Sequence, residues 1–201
     1  MEQIASWRAA VDGLRRDLEG VVGPRLRALA VYEAHGIVGD MPGSSETASD
    51  ANIRHEDLVH TVAVVEDLGV DDLTRLAALA SAWEKRRLAV PLLLAPRDLV
   101  RSLDSFPLEL SQILARHVLV FGEDPFAGLS VDRQDLRRAC ETQVRSHLLH
   151  LREGYLQAGG DARKVAELVV ASAAPLRALL VNIARLHGVH ERSADALLQF
   201  L

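Results

Sequence analysis

One cysteine in 201 residues leaves no partner for an internal disulfide and too few thiolates for a structural zinc site. Aromatic side chains make up only 4%, so Leu, Val and Ala must fill the core. Uninterrupted apolar runs are short. Val90–Ala95 is among the longest, whereas a bilayer span takes about 20 apolar residues. The first twenty residues carry charge throughout and lack the apolar segment of a secretory signal. These absences predict a cytoplasmic protein with no membrane contact. Basic charge is also scarce in one stretch, for residues 40–72 hold nine acids against a single base, Arg54. The balance is −7 over residues 1–130 and +2 over residues 131–201. The acidic part would repel a phosphate backbone and the basic excess is too small to reverse this, which argues against a nucleic-acid partner.

What is present reads as a folded chain of one large or two small domains, 49% hydrophobic and 25% charged. Ile4, Trp7, Val11, Leu14, Leu18 and Val21 recur at steps of three and four, predicting an amphipathic helix over 2–22 that Gly23-Pro24 ends. Such a seam serves either to pair with a second copy or to cover the domain's own core. Leu26–Tyr32 alternates like a strand, and Leu58–Val65 is apolar on both faces apart from His60 and Thr61, as in a central strand. A helix is expected over 71–87, with Asp71 as its cap and Leu73, Leu76, Ala77, Ala80 and Trp83 or Glu84 inward. Leu88–Ala95 reads as a strand with an edge or bulge at Pro91, and 96–103 as a short helix opened by Pro96. Residues 106–114 fit a strand or a helix, and His117–Phe121 is a strand closed by Gly122.

From Ser130 onward only helical periodicity remains. Leu136, Cys140, Val144, Leu148, Leu151 and Tyr155 form one stripe. Gly159-Gly160 breaks it, Asp161 caps the next helix, and a second stripe runs from Val165 to Leu186 across Pro175, where a kink is expected. Gly188 stops this helix and Ser193–Leu201 adds a short last one. A tight glycine turn between long helices predicts an antiparallel hairpin, the seed of a small bundle. The boundary falls near Asp124–Ser130, dividing the chain into an α/β domain over 1–124 and a helical domain over 125–201. Cys140, on the apolar stripe, is expected to be a buried and inert thiol. His147, His150 and Glu153 share a helix face but lack a further metal ligand, so they read as hydrogen-bonded or exposed.

A leading helix, a strand, a loop, a central strand, a helix, an edge strand and a helical bundle follow one another. This order resembles the DNA polymerase β-like nucleotidyltransferases, and more narrowly the small bacterial nucleotidyltransferase-like proteins with a C-terminal helical domain. The residues carrying the resemblance are "VAVVEDLGVDDLTRLAALASAWEKRRLAVPLLLAPRDLVRSLDSFPLEL" and "HVLVFGEDPFAGL". The resemblance implies an α/β (α+β) nucleotidyltransferase-like N-terminal domain with a C-terminal antiparallel helical bundle. It also implies a chemistry in which paired carboxylates on a strand hold Mg²⁺, the metals clamp a nucleoside triphosphate, and a Gly-Ser pair after the first strand cradles phosphate.

The local residues depart from that pattern. After the first strand stand Tyr32-Glu33-Ala34, and Glu33 puts a carboxylate where phosphate would bind. Two like charges at 4 Å repel by about 4 kcal/mol at an effective dielectric near 20. One register takes Glu46 as the first metal carboxylate, and the second then falls on Ala48. Another takes Gly43-Ser44 as the phosphate pair and Asp57 as the metal ligand, with twelve residues between Ser44 and Asp57, and its second position is Val59. Either way one carboxylate stands where two are needed, with Glu109 a candidate relic of a third. Glu46 and Asp57 equally fit a solvated acidic loop, and Gly43-Ser44 an ordinary turn.

The leading expectation is therefore a catalytically inactive relative, a scaffold or regulatory protein with a protein partner or a second copy as its target. No catalytic residue, metal or cofactor is expected; Glu46, Asp57 and Glu109 are vestigial candidates, and Gly43 and Ser44 weak nucleotide-binding ones. The alternative is an active Mg²⁺-dependent nucleotidyltransferase that modifies a protein or small-molecule hydroxyl. A third reading is a helical interaction module whose α/β part is only structural.

Overall fold

The computed structural model describes residues 2–32 and 58–188. The first helix, α1 (Glu2–Val22), ends in a 3₁₀ turn at Gly23–Arg25, where Gly23 has φ +57° and Pro24 follows. The strands β1 (Leu26–Tyr32), β2 (His60–Val65), β3 (Leu92–Leu94) and β4 (His117–Gly122) form one mixed sheet in the order β3-β2-β1-β4. β1 is antiparallel to both β2 and β4, whereas β2 and β3 run parallel. Between β2 and β3 come α2 (Val70–Ala77) and α3 (Ala80–Lys85), and α4 (Pro96–Ser105) and α5 (Pro107–Ala115) lead to β4. The long helices α6 (Arg133–Ala158) and α7 (Ala162–Leu186) complete the described chain.

Contacts divide the chain into two units, Met1–Ser102 with Gln112–Ser130, and Leu103–Ser111 with Val131–Leu201. In the first, α1 spends its seam on the sheet. Trp7, Val11, Leu14, Leu18 and Val22 pack with Leu29 and Val31 of β1 and Ala63 and Val65 of β2. From Trp7 to Val22 the periodic seam thus covers the domain's own core. Leu76 and Trp83 of α2 and α3 join the same cluster.

The continuous helix expected over 71–87 is two helices. Leu79 N bonds to Leu76 O and Ala82 N to Leu79 O, three-residue steps that break the four-residue ladder and let Leu79 pack on the core beside Trp83. Asp71 is exposed and does not cap. Gly69 holds the cap position, its N–H donating to Asp72 Oδ2 at 3.0 Å, because the Asp72 carboxylate is drawn inward by two arginines. β3 is shorter than the Leu88–Ala95 run, for Pro91 has no N–H to offer the ladder. It is an edge strand, preceded by an isolated bridge between Leu88 and Val59. The ambiguous stretch after Phe106 is helix α5, opened by Pro107.

In the second unit Asp132 caps α6 through Gln134 N and Asp135 N, and Asp161 caps α7 through Arg163 N and Lys164 N. Gly159 closes α6 in the left-handed conformation. Leu136 and Cys140 pack on Leu179, a Cβ at Gly154 would touch Leu168, and Arg133 reaches Leu186 O, so the two helices run antiparallel. Burial raises the Cys140 thiol pKa, as befits an inert packing group. Among the described residues α7 alone is long and apolar enough to cross a membrane by length and composition. No uninterrupted apolar run marks it, because Ser172, Arg177 and Asn182 punctuate the apolar stretch. The predicted helix over 193–201 lies outside the described residues.

Candidate functional site

The end of β1 brings three polar side chains of the sheet together. Tyr32, its last residue, pairs with His60 of β2 on one side and His117 of β4 on the other. Cross-strand partners share a face. Leu29 and Val31 point into the α1 core, so Tyr32, His60 and His117 stand in a row on the opposite face. The Tyr32 and His60 rings lie 5.9 Å apart at a 50° tilt. This is the end at which the resemblance would put phosphate.

His117 is held on three sides. Nδ1 lies 2.9 Å from Ile113 O at the end of α5. Nε2 lies 3.2 Å from Asp124 Oδ1, and Phe126 packs edge-on at 4.8 Å between ring centroids. Asp124 Oδ1 also accepts from Phe126 N at 2.9 Å, so one carboxylate oxygen fastens both the ring and the turn after β4. With each nitrogen already engaged, the ring is built to hold the Gly122–Phe126 turn against β1. A general base needs an open lone pair facing substrate.

A second polar constellation, with the buried Asp72 at its centre, is structural too. Asp72 accepts from both Nη atoms of Arg25, from Arg75 Nη2 at 2.9 Å and from Gly69 N. Arg25 also donates to Val22 O and Asp67 O, and Arg75 to Val21 O, so the last carbonyls of α1 receive two cations. The Arg25 hydrogen bonds, then that from Gly69, hold the Asp72 carboxyl well below the ordinary carboxylate range.

Of the residues singled out from sequence, Gly43, Ser44, Glu46 and Asp57, like Glu33, lie outside the described residues. Glu109 is exposed in the first turn of α5, where a carboxylate complements the helix dipole. His150 and Glu153 are exposed on α6, and among the described residues no group of three or more His, Cys, Asp or Glu is placed to hold a metal. The His60–Tyr32–His117 row was not found from sequence. The signal was there in part, since a histidine opens each strand that flanks β1, but joining the three requires the register. Asp124 belongs to the "FGED" run yet stands out only as the partner of His117.

The helical unit shows a different kind of surface. Leu148, Leu149, Tyr155 and Leu156 on α6 and Val169 and Val170 on α7 are exposed. Shallow grooves of about 380 and 290 Å³ follow α6, the second lined by Val144 and Glu141 together with Ile183 of α7. No family model matches the chain, and no curated protein or solved structure matches it either.

Proposed function

We propose that this chain is a catalytically inactive relative of the nucleotidyltransferases that works as a scaffold or regulatory protein by binding protein. The observation that carries the reading is the hairpin, whose two long helices keep large aliphatic side chains uncovered on a scale that single scattered residues do not reach. Three further points support it. The strand order puts β2 inside the sheet and β3 at its edge, as the resemblance expects. At the end of β1, His117 is committed to fastening a turn. In the sequence Glu33 follows β1 directly, where a phosphate cradle would need small residues and backbone amides.

Thermal unfolding in millimolar Mg²⁺ with each nucleoside triphosphate tests the reading. A ligand at one hundred times its Kd adds about 2.7 kcal/mol, on the order of 5–10 °C in Tm for a chain of this size. No shift is expected. A rise of that size, abolished by Asp57→Ala or Glu46→Ala, would return the protein to the enzymes.

A further inference from the structure

Besides Leu149, Leu156 and Val170, which are exposed off its stripes, the α6–α7 hairpin leaves one ordered apolar face uncovered. Leu136, Cys140 and Leu179 seal the helices against each other. Val144, Leu148 and Tyr155 continue the α6 stripe at steps of four and seven, yet they are 41%, 45% and 61% exposed. On α7, Leu176 and Val169 stand seven and fourteen residues before Ile183 and so along one line; they are 42% and 62% exposed. In an antiparallel pair both stripes flank one side of the hairpin, and Val144 and Ile183 meet there in the 290 Å³ groove. The five side chains leave on the order of 500 Å² of apolar surface, the upper end of what a monomer shows. Homodimer interfaces are about 65% apolar, so this patch corresponds to roughly 750 Å² per partner, one side of a standard interface.

We infer that a second copy of this chain covers this face, the two hairpins closing a four-helix bundle about a two-fold axis near Leu148. The inference rests on the protein-binding reading above and names the partner. Rim charge fits the symmetry. Glu141, which accepts from Arg137 Nε at 2.9 Å and keeps Oε2 for a further donor, and Arg152 lie on the same edge of α6, eleven residues apart. With Leu148 opposite Leu148 in antiparallel α6 helices, Arg152 of one copy faces Val144 of the other, one turn from its Glu141, and the pair recurs by symmetry. A lipid surface fits less well, because Arg152, Arg163 and Lys164 near the hairpin turn are balanced by Glu153, Asp161 and Glu167.

Sedimentation velocity of the full chain, from low to high micromolar concentration without detergent, reads the outcome directly. A species of twice 21.9 kDa is expected. The double substitution Leu148→Glu, Leu176→Glu should return it to the single-chain mass with its far-UV helical signal kept. Leu148→Cys, on the axis, should give a reducible doubled band on copper-catalysed air oxidation, two thiols losing two electrons to oxygen. A wild-type chain that stays single across the range overturns the inference, as does a dimer that neither substitution touches. A single chain that floats with phosphatidylcholine–phosphatidylserine vesicles assigns the face to lipid instead. A nucleotide-induced rise in Tm strikes the non-catalytic reading alone and leaves the dimer standing.

Discussion

Arg25 and Asp72, 47 residues apart in sequence, meet in a two-pronged ion pair, Nη1 to Oδ2 at 2.7 Å and Nη2 to Oδ1 at 2.8 Å. The pair ties the turn after α1 to the first turn of α2, across the ends of β1 and β2. Arg25 N–H groups also satisfy carbonyls at Val22 and Asp67, so the contact closes three chain segments at once.

Acid should loosen this junction. The Asp72 carboxyl titrates well below its unfolded value of about 3.9. Its contribution is therefore complete above the unfolded pKa and is lost as pH falls through the folded one. Asp72→Asn should lower Tm by a constant amount from neutral pH to about 5, and the gap between the two proteins should narrow below about 4. Thermal scans from pH 7 to pH 2 check this; a gap that stays constant into strong acid would show that the charge of Asp72 is not what holds the junction.

The Arg25–Asp72 pair also marks the limit of what the linear chain discloses. α1 and β1 were legible to the residue, because a three–four apolar spacing ended by Gly-Pro and then a two-residue alternation are local signals. The caps at Asp161 and Gly159 were equally local. The cap of α2 was not, since Asp72 rather than Asp71 turns inward for partners brought by tertiary folding. The His60–Tyr32–His117 row failed for the same reason. The apolar stripes of α6 and α7 are visible as periodicity, but periodicity cannot say how much of a stripe a neighbour covers. Val144 and Cys140 belong to one stripe, and only Cys140 is buried.

Trp83 combines packing with a polar handle, and the two are separable. Its side chain is fully buried, and its Nε1 donates to Asp17 Oδ2 at 2.9 Å, an oxygen that also takes Arg86. Trp83→Ala removes the largest fully buried side chain and should cost about 3–5 kcal/mol. Trp83→Phe keeps most of the ring contacts and leaves Asp17 to Arg86, so a loss of about 1–2 kcal/mol is expected. Urea unfolding followed by circular dichroism measures both. Equal losses would mean that the hydrogen bond, not the packing, dominates at this position.

Gly122 closes β4 where the sheet leaves no room for a side chain. Its φ is +81°, and a Cβ there would sit 1.9 Å from Arg27 O, on the neighbouring strand. Gly128 provides the control, with φ +77° and nothing within 4 Å of a built Cβ. Gly128→Ala bears only the left-handed backbone penalty, about 1–2 kcal/mol. Gly122→Ala adds a collision with backbone atoms that cannot swing aside, so β1 and β4 must separate locally; a loss on the order of 3–4 kcal/mol is expected. The separation should also free the turn that His117 and Asp124 hold, and amide hydrogen exchange at Phe126, whose N–H bonds to Asp124, should accelerate in Gly122→Ala and not in Gly128→Ala. If the two alanines cost the same, the close approach of β4 to Arg27 is not what demands glycine at this position.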